Sequence, residues 1–204
     1  MKFSIIIPAY NSEQYIRKAL DSIKQQTFTD YELIVICDSC EDNTQQIAEE
    51  YGAVTREVHN HCDGPTRNAG LDLAKGEYVL FMDDDDWWLH ENVLQQLDEK
   101  LKEEKNPDVL CFGFYFNHIG YASPVRSNGY RWIATWNKCW KRSFVGDVRF
   151  PGIQFKSDVW FNQQLINKGG RWVDHDVPMY FYDYRRKGSQ TEIKEGNNIP
   201  FVEL

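Results

Sequence analysis

Residues 78–89 read YVLFMDDDDWWL, and this stretch decides how the rest of the chain is interpreted. Its apolar beginning predicts a buried strand, and four consecutive aspartates, 83–86, follow that strand directly. Two carboxylates roughly 5 Å apart repel each other by about 3 kcal/mol at an effective dielectric constant near 20. Four adjacent carboxylates at the end of a core strand therefore need either full hydration or a positive charge among them.

The residues before the aspartates alternate between strand and helix patterns. Short apolar runs predict strands at 2–8, 31–37, 54–58 and 77–82. Helical spacing predicts a first helix, capped by Ser12 or Asn11, and further helices at 43–51, 66–75 and 90–105. Four such alternations are typical of a parallel sheet with helices on its faces.

The pattern changes after residue 107. Residues 108–120 alternate partly, as an antiparallel or mixed strand does, and a helix near 157–168 and an aromatic strand at 178–184 follow. The length of 204 residues suits a single domain. We therefore expect one domain, 1–204, made of two halves, 1–107 and 108–204.

Composition limits the classes of function. The net charge of −8 argues against a nucleic-acid-binding surface, which is normally basic. Five cysteines and no secretory signal predict a cytoplasmic protein with free thiols. The longest apolar run, 109–116, is too short to span a membrane, so no integral membrane segment is expected. Peripheral contact with a membrane stays open.

Ligands of open α/β sheets bind outside the carboxyl ends of the parallel strands. That edge is predicted to collect PAYN (8–11), Asp38, the loop 59–68 and the four aspartates. The chain has neither GxGxxG after its first strand nor a P-loop motif. A sheet that binds phosphate without glycine-rich loops can use a divalent metal instead, and Mg²⁺ or Mn²⁺ prefers carboxylate oxygens.

Several motifs, in order, resemble family 2 glycosyltransferases with the GT-A fold. They are SIIIPAYN, LIVICDSCEDNT and GPTRNAGLDLAKGEYVLFMDDDDWW in the first half, and WNKCWKR (136–142), FKSDVWFNQQLI (155–166) and PMYFYDYRRKGSQT (178–191) in the second. The resemblance covers nearly the whole chain. It implies an α/β, Rossmann-like fold with a mixed, mainly parallel sheet flanked by helices in a single domain. It also implies that the half 1–107 binds a nucleotide sugar and that the half 108–204 binds an acceptor.

The resemblance also implies roles for individual residues. The nucleotide base would be lined by Pro8, Ala9, Tyr10 and Asn11, with Glu13 nearby. Asp38 would accept a hydrogen bond from the uracil ring. Arg67 would face the nucleotide or pair with an acidic residue of the site. Asp83, Asp84 and Asp85 would form the DXD motif, with Asp85 as the chief metal ligand and Asp83 and Asp84 serving the metal or the ribose. Asp158 would be the general base.

These roles imply an inverting glycosyltransferase that depends on Mn²⁺ or Mg²⁺. It would move a sugar from a nucleotide diphosphate sugar, most simply a UDP-sugar, to a hydroxyl of a carbohydrate, a lipid-linked or another acceptor. A nucleic acid as acceptor is not expected. Cys37 and Ser157 replace acidic residues of the family pattern, which motivates an alternative: an inactive nucleotide-sugar-binding or scaffold protein. A nucleotidyltransferase is disfavoured because no basic glycine-rich loop is present.

Simpler explanations exist for several of these residues. The aspartate run also fits a solvated turn at the N-terminus of a helix. Asp158 could be only an acidic residue at a helix N-terminus, and Arg67 could be only a structural ion-pair partner. The spacing of the cysteines and histidines also suits a zinc site, with candidate ligands Cys37, Cys40, His59, His61 and Cys62. Free, partly buried thiols are favoured over a zinc site.

The aromatic and basic residues leave further alternatives open. Trp132, Trp136 and Trp140 recur every four residues, which favours packing of a helix in the core over a sugar-stacking platform. Trp87 and Trp88 fit the core or the floor of the donor site equally well. His175 is a candidate metal ligand, although a structural role is favoured. Arg185, Arg186 and Lys187 fit a diphosphate clamp or a solvated tail.

Overall fold

Four apolar runs form the parallel part of the sheet in the structure, a computed structural model that describes residues 1–117 and 120–184. The strands are β1 (Phe3–Ala9), β2 (Tyr31–Asp38), β3 (Val54–Val58) and β4 (Tyr78–Phe81). β1 pairs in parallel with β2 and β4, and β2 pairs in parallel with β3. β1 and β4 are buried on both faces, which explains their continuous rather than alternating apolar sequence.

Among the described residues, five further strands, four of them from the second half and one (β5, Trp87–Trp88) from the end of the first, extend the same sheet in mixed directions. They are β5 (Trp87–Trp88), β6 (Val109–Phe116), β7 (Gly120–Ala122), β8 (Lys138–Lys141) and β9 (Trp172–Tyr182). The order is β3-β2-β1-β4-β8-β6-β9-β5, with β7 beside β6. β8 is antiparallel to both β4 and β6, whereas β9 is parallel to β6. The predicted mixed sheet is therefore confirmed, and the predicted aromatic strand at 178–184 is the end of a longer strand that begins at Trp172 and ends at Tyr182.

Helices cover both faces of the sheet. They are α1 (Ile16–Lys24), α2 (Thr44–Glu50), α3 (Asp63–Leu73), α4 (Val93–Glu103), α5 (Arg142–Val145) and α6 (Ser157–Lys168). Apolar residues of α1, α2 and α4 join one core, and those of α3, α5 and α6 join the other. Ile5 and Ile7 face the first core and Ile6 the second. Within the described residues, no helix combines the length and apolarity needed to cross a bilayer.

Helix α3 packs unusually close to the sheet. A Cβ atom at Gly70 would overlap the side chain of Ile6 on β1, so only glycine allows this approach. The helix begins at Asp63, three residues before the predicted start at Thr66. The Thr66 hydroxyl lies inside the first turn, 2.9 Å from the Cys62 carbonyl oxygen. The close approach places the first turn of α3 at the carboxyl edge of the sheet.

Two sequence predictions about local structure are wrong. Neither Ser12 nor Asn11 caps α1 with its side chain, because the Ser12 hydroxyl is directed to the Tyr10 carbonyl and to the Asp84 carboxylate instead. The Trp-rich segment is not a helix, since 138–141 form β8. Packing in the core is nevertheless confirmed for Trp136 and Trp140, which are buried.

Candidate active site

The carboxyl ends of β1, β2 and β4 meet at one edge of the sheet, where the sequence predicted a ligand site. The acidic loop, defined here as residues 83–86, leaves β4 at this edge. The Tyr10 backbone N–H lies 3.4 Å from an Asp84 carboxylate oxygen, and the Ser12 hydroxyl donates to the same oxygen. The segment after β1 and the acidic loop are therefore in direct contact.

The four aspartates of the acidic loop face different partners. Asp83 accepts a hydrogen bond from Arg67 at 2.8 Å, whereas Asp84 faces the segment after β1. Asp86 is fully buried and points to the opposite side, toward β9. Asp85 is partly exposed. The run of identical residues is thus divided by the fold into separate environments, and the explanation of a uniformly solvated turn is wrong.

Arg67 connects the acidic loop to the start of α6. Its guanidinium lies 2.8 Å from Asp83, 3.8 Å from Asp63 and 3.8 Å from Asp158, and its side chain is only 6% exposed. Burial acts to lower the pKa of Arg67, but the carboxylates of Asp158, Asp83 and Asp63 outweigh burial and raise it. The Arg67 Nε atom is buried without a hydrogen-bond partner among the described residues. The predicted proximity of Arg67 to acidic residues is confirmed.

The acidic loop holds more negative charge than its surroundings stabilise. Burial raises the pKa of Asp83 to about 6, against the opposing effect of Arg67. Burial and the adjacent Asp85 carboxylate raise the pKa of Asp84 to about 7. Mg²⁺ is usually held by one or two carboxylates together with phosphate oxygens of a substrate. The carboxylates of Asp83 and Asp85 fit such a donor set.

Asp38, at the end of β2, lies in a different environment. Its two oxygens accept hydrogen bonds from the backbone N–H groups of Asn60, His61 and Cys62 and from the Thr66 hydroxyl, at 2.8 to 3.1 Å. Burial raises the pKa of Asp38, but these hydrogen bonds outweigh burial and hold it below its usual value. Asp38 therefore anchors the loop that precedes α3, and its direct contact with a nucleotide stays a prediction.

The PAYN segment covers the last two residues of β1 and the start of the turn that follows. Ala9 is buried, whereas the Tyr10 side chain is 63% exposed at the edge of the sheet. Asn11 adopts a left-handed conformation with φ of 47°, which asparagine tolerates better than most residues. The Glu13 carboxylate accepts hydrogen bonds from the backbone and side chain of Asn43, before α2. Contacts of Pro8, Ala9, Tyr10, Asn11 and Glu13 with a nucleotide stay predictions.

The aromatic residues near the site belong largely to the core. Trp88 is buried, and Trp87 stacks on Phe181 with ring centroids 4.2 Å apart. Trp136 stacks on Tyr180 at 4.8 Å. The explanation of these tryptophans as packing residues is therefore favoured.

The alternative metal ligands do not assemble into a site. The five cysteines are free, and Cys37 is fully buried. Within 1–117 and 120–184, no three His, Cys, Asp or Glu side chains form a group able to hold a metal by themselves. His175 pairs with Phe112 of β6 in the sheet. The predicted basic run Arg185, Arg186 and Lys187 lies outside the described residues.

Sequence reasoning missed two residues that contact the acidic loop. Ser12 was expected only as a helix cap, and Tyr180 was noted only within the closing PMYFYDY pattern. The Tyr180 hydroxyl contacts the acidic loop through Asp86 at 2.7 Å. The repeated tyrosines of that pattern were the available signal, but no local periodicity relates residue 180 to residue 86.

Solved structures with this fold bind nucleotides. The chain is similar to residues 1–349 of TarS from Staphylococcus aureus in complex with UDP-GlcNAc, with a TM-score of 0.82 and 26% identity over 94% of this chain and 61% of that chain. The complex of the same TarS fragment with UDP gives a TM-score of 0.81 and 28% identity over 90% of this chain and 60% of that chain. These similarities confirm the GT-A fold.

Sequence comparison agrees with the structural similarity. The chain is 27% identical to the glycosyltransferase GlyA of Streptococcus pneumoniae over 94% of this chain and 32% of GlyA. It is 42% identical to the poly(ribitol-phosphate) beta-N-acetylglucosaminyltransferase TarS of S. aureus over 54% of this chain and 20% of TarS. The chain thus spans a third or less of these two relatives. Residues 4–160 match the family described as Glycosyl transferase family 2, and the chain belongs to this family.

Proposed function

We propose that this chain transfers a sugar from a UDP-sugar to an acceptor hydroxyl, with inversion at the anomeric carbon and with the help of Mn²⁺ or Mg²⁺. The observation that carries the proposal is the position of Arg67, whose guanidinium contacts both Asp83 of the acidic loop and Asp158 of α6. The proposed site of the leaving diphosphate, at Asp83, and the proposed general base, Asp158, thereby both lie beside the Arg67 guanidinium. The UDP and UDP-GlcNAc bound by TarS support UDP as the nucleotide.

The acidic loop supports binding of a divalent cation together with the diphosphate. Asp83 and Asp85 would hold the ion, and the raised pKa of Asp83 reflects a carboxylate buried near other carboxylates. A bound Mn²⁺ or Mg²⁺ supplies positive charge that stabilises the departing diphosphate. Arg67 holds Asp83 in place at 2.8 Å from its guanidinium. The exposed ring of Tyr10 lies where a nucleotide base could pack against it.

We assign the role of general base to Asp158. It lies in the first turn of α6, and its side chain is 29% exposed, so that an acceptor hydroxyl can reach it. The Arg67 guanidinium, 3.8 Å away, orients the carboxylate. A carboxylate that removes the acceptor proton during attack typically increases the reaction rate by about 10²- to 10⁴-fold. Attack on the face opposite the diphosphate is a single displacement, which inverts the anomeric carbon.

The test is release of UDP from UDP-GlcNAc in the presence of Mn²⁺, with water as the acceptor. We expect slow release by the wild-type chain and a decrease of about 10²- to 10⁴-fold in Asp158→Asn, with unchanged affinity for UDP. The released sugar should first appear as the β anomer in proton NMR, because UDP-GlcNAc carries an α linkage. Asp72→Asn is the matched control, since Asp72 is 54% exposed and pairs with Arg149.

Other outcomes distinguish the alternatives. Binding of UDP with no turnover of any UDP-sugar or acceptor would favour the inactive nucleotide-sugar-binding protein. Turnover that gives the α anomer would contradict inversion. Equal activity with and without a metal chelator would contradict metal dependence.

A further inference from the structure

A buried tyrosine that the proposed chemistry does not use contacts both ends of the acidic loop. The Tyr180 hydroxyl donates a hydrogen bond to the Asp86 carboxylate at 2.7 Å. The Tyr180 hydroxyl oxygen in turn accepts a hydrogen bond from the backbone N–H of Asp83 at 3.1 Å. Both Tyr180 and Asp86 are fully buried. One hydroxyl therefore joins the first residue of the loop to the last.

The position of this hydroxyl is set by β9 and not by the acidic loop. The Tyr180 ring stacks on Trp136 with centroids 4.8 Å apart and an interplanar angle of 8°. The Tyr180 backbone pairs with Trp88 in the sheet. Farther along, the Asp183 backbone N–H donates to the second Asp86 oxygen at 2.8 Å. Strand β9 and the residue that directly follows it thus hold the loop through two groups, the Tyr180 hydroxyl and the Asp183 backbone N–H.

These contacts determine where the metal-binding carboxylates lie. Because Asp83 is held through its backbone and Asp86 through its side chain, the path of the two residues between them is restricted. Groups that orient metal ligands from outside typically change metal affinity or activity by 10- to 100-fold when removed. A shift of the Asp83 backbone would move its carboxylate relative to Asp85.

We propose that Tyr180, together with Asp86, is a positioning residue for the metal–nucleotide site. The proposal rests on the proposed function, in which Asp83 and Asp85 hold a divalent cation with a UDP diphosphate. Tyr180 contacts no substrate in this arrangement. It acts through the backbone of Asp83 and through Asp86, so its loss changes the geometry of the ligands rather than their number.

The test is titration of UDP into Tyr180→Phe by calorimetry, with and without Mn²⁺. Phenylalanine keeps the ring that stacks on Trp136 and removes only the hydroxyl. We expect the Mn²⁺-dependent gain in UDP affinity to fall about tenfold or more, and UDP affinity without metal to stay unchanged. Asp86→Asn serves as a second variant if Tyr180→Phe does not fold, and its Mn²⁺-dependent gain should fall as well.

The matched control is Tyr78→Phe. Tyr78 is also fully buried, and its hydroxyl donates to the Pro107 carbonyl at 2.9 Å, away from the acidic loop. We expect this variant to lose thermal stability and to keep the full Mn²⁺-dependent gain. If both tyrosine variants lose the gain equally, or if Tyr180→Phe and Asp86→Asn keep it while the wild type shows it, the positioning role is overturned. If the wild type itself shows no gain, metal dependence and the positioning role both fail.

Discussion

Asp38 and the acidic loop lie at the ends of β2 and β4, the two strands that flank β1, yet their electrostatics are opposite. The Asp38 carboxylate accepts hydrogen bonds from three backbone N–H groups and one hydroxyl, and its pKa is lowered. In the acidic loop the pKa values of Asp83 and Asp84 are raised. Both regions place carboxylates at the same edge of the sheet, but the hydrogen bonds of Asp38 outweigh the effect of burial on its pKa, whereas the contact of Asp83 with Arg67 does not.

The difference shows how to separate an anchoring carboxylate from a ligand-binding one. A carboxylate accepts about four hydrogen bonds, and the protein itself supplies four to Asp38. Asp83 accepts a 2.8 Å hydrogen bond from Arg67, yet burial and the neighbouring carboxylates keep its pKa raised. A bound cation would favour the ionised form of this carboxylate. The comparison therefore favours an anchoring role for Asp38, and the binding of a cation by Asp83 and Asp85 remains our proposal.

The largest expected effect is on folding stability in Asp38→Asn. An amide oxygen cannot serve all four donors, and buried unpaired donors cost about 1–3 kcal/mol each. We expect the free energy of unfolding to fall by about 3 kcal/mol in urea denaturation, while the Mn²⁺-dependent gain in UDP affinity persists. The surface variant Asp72→Asn should change the free energy of unfolding by less than about 0.5 kcal/mol. Unchanged stability with lost UDP affinity would instead make Asp38 a nucleotide ligand.

The opposite result is expected for Asp85→Ala. Removing one of several repelling carboxylates should leave the stability of the unliganded protein unchanged or slightly increased. The stabilisation by Mn²⁺ with UDP, about 2.7 kcal/mol at a ligand concentration 100 times the Kd, should be lost. Thermal denaturation with and without Mn²⁺ and UDP measures this stabilisation, and Asp72→Asn is the control. Full stabilisation of Asp85→Ala would remove this residue from the metal site.

The pH dependence of stability tests the lowered pKa of Asp38. The native pKa lies below that of the unfolded chain, near 3.9, so the unfolded state binds more protons in this range. The contribution of Asp38 is therefore complete above about pH 4 and is lost as the pH falls through the lower, native pKa. We expect the difference in stability between wild type and Asp38→Asn to shrink below about pH 4. A difference that grows on acidification would contradict the lowered pKa.

The smallest effect is expected for Ser12→Ala. Its hydroxyl donates to Asp84 and so supplies the acidic loop with one of its few donors. Loss of one such hydrogen bond should reduce stability by about 1 kcal/mol in urea denaturation. Ser143→Ala, at an exposed position, is the control and should be within about 0.5 kcal/mol of wild type. No difference between the two variants would remove Ser12 from the environment of the loop.

Much of the fold was predictable because local sequence patterns report burial. The apolar runs of β1, β2 and β4 were recognised because a strand buried on both faces must be apolar at every position. Helix α3 was recognised, although its start was placed late at Thr66, since the interaction of Thr66 with Asp38 joins residues far apart in sequence. The tryptophan spacing was misread, because periodicity alone does not distinguish a helix from a loop that leads into β8.

The sequence by itself determined the alternating strands and helices, the edge of the sheet that collects the polar motifs, and the family resemblance. Only the tertiary structure decided which donors reach each carboxylate: the loop before α3 and Thr66 donate to Asp38, Arg67 donates to Asp83, and Tyr180 donates to Asp86. Secondary structure follows from the periodicity of neighbouring residues, which can be read along the chain. The charge environment of a side chain depends on donors brought from distant segments by packing, and no local pattern records them.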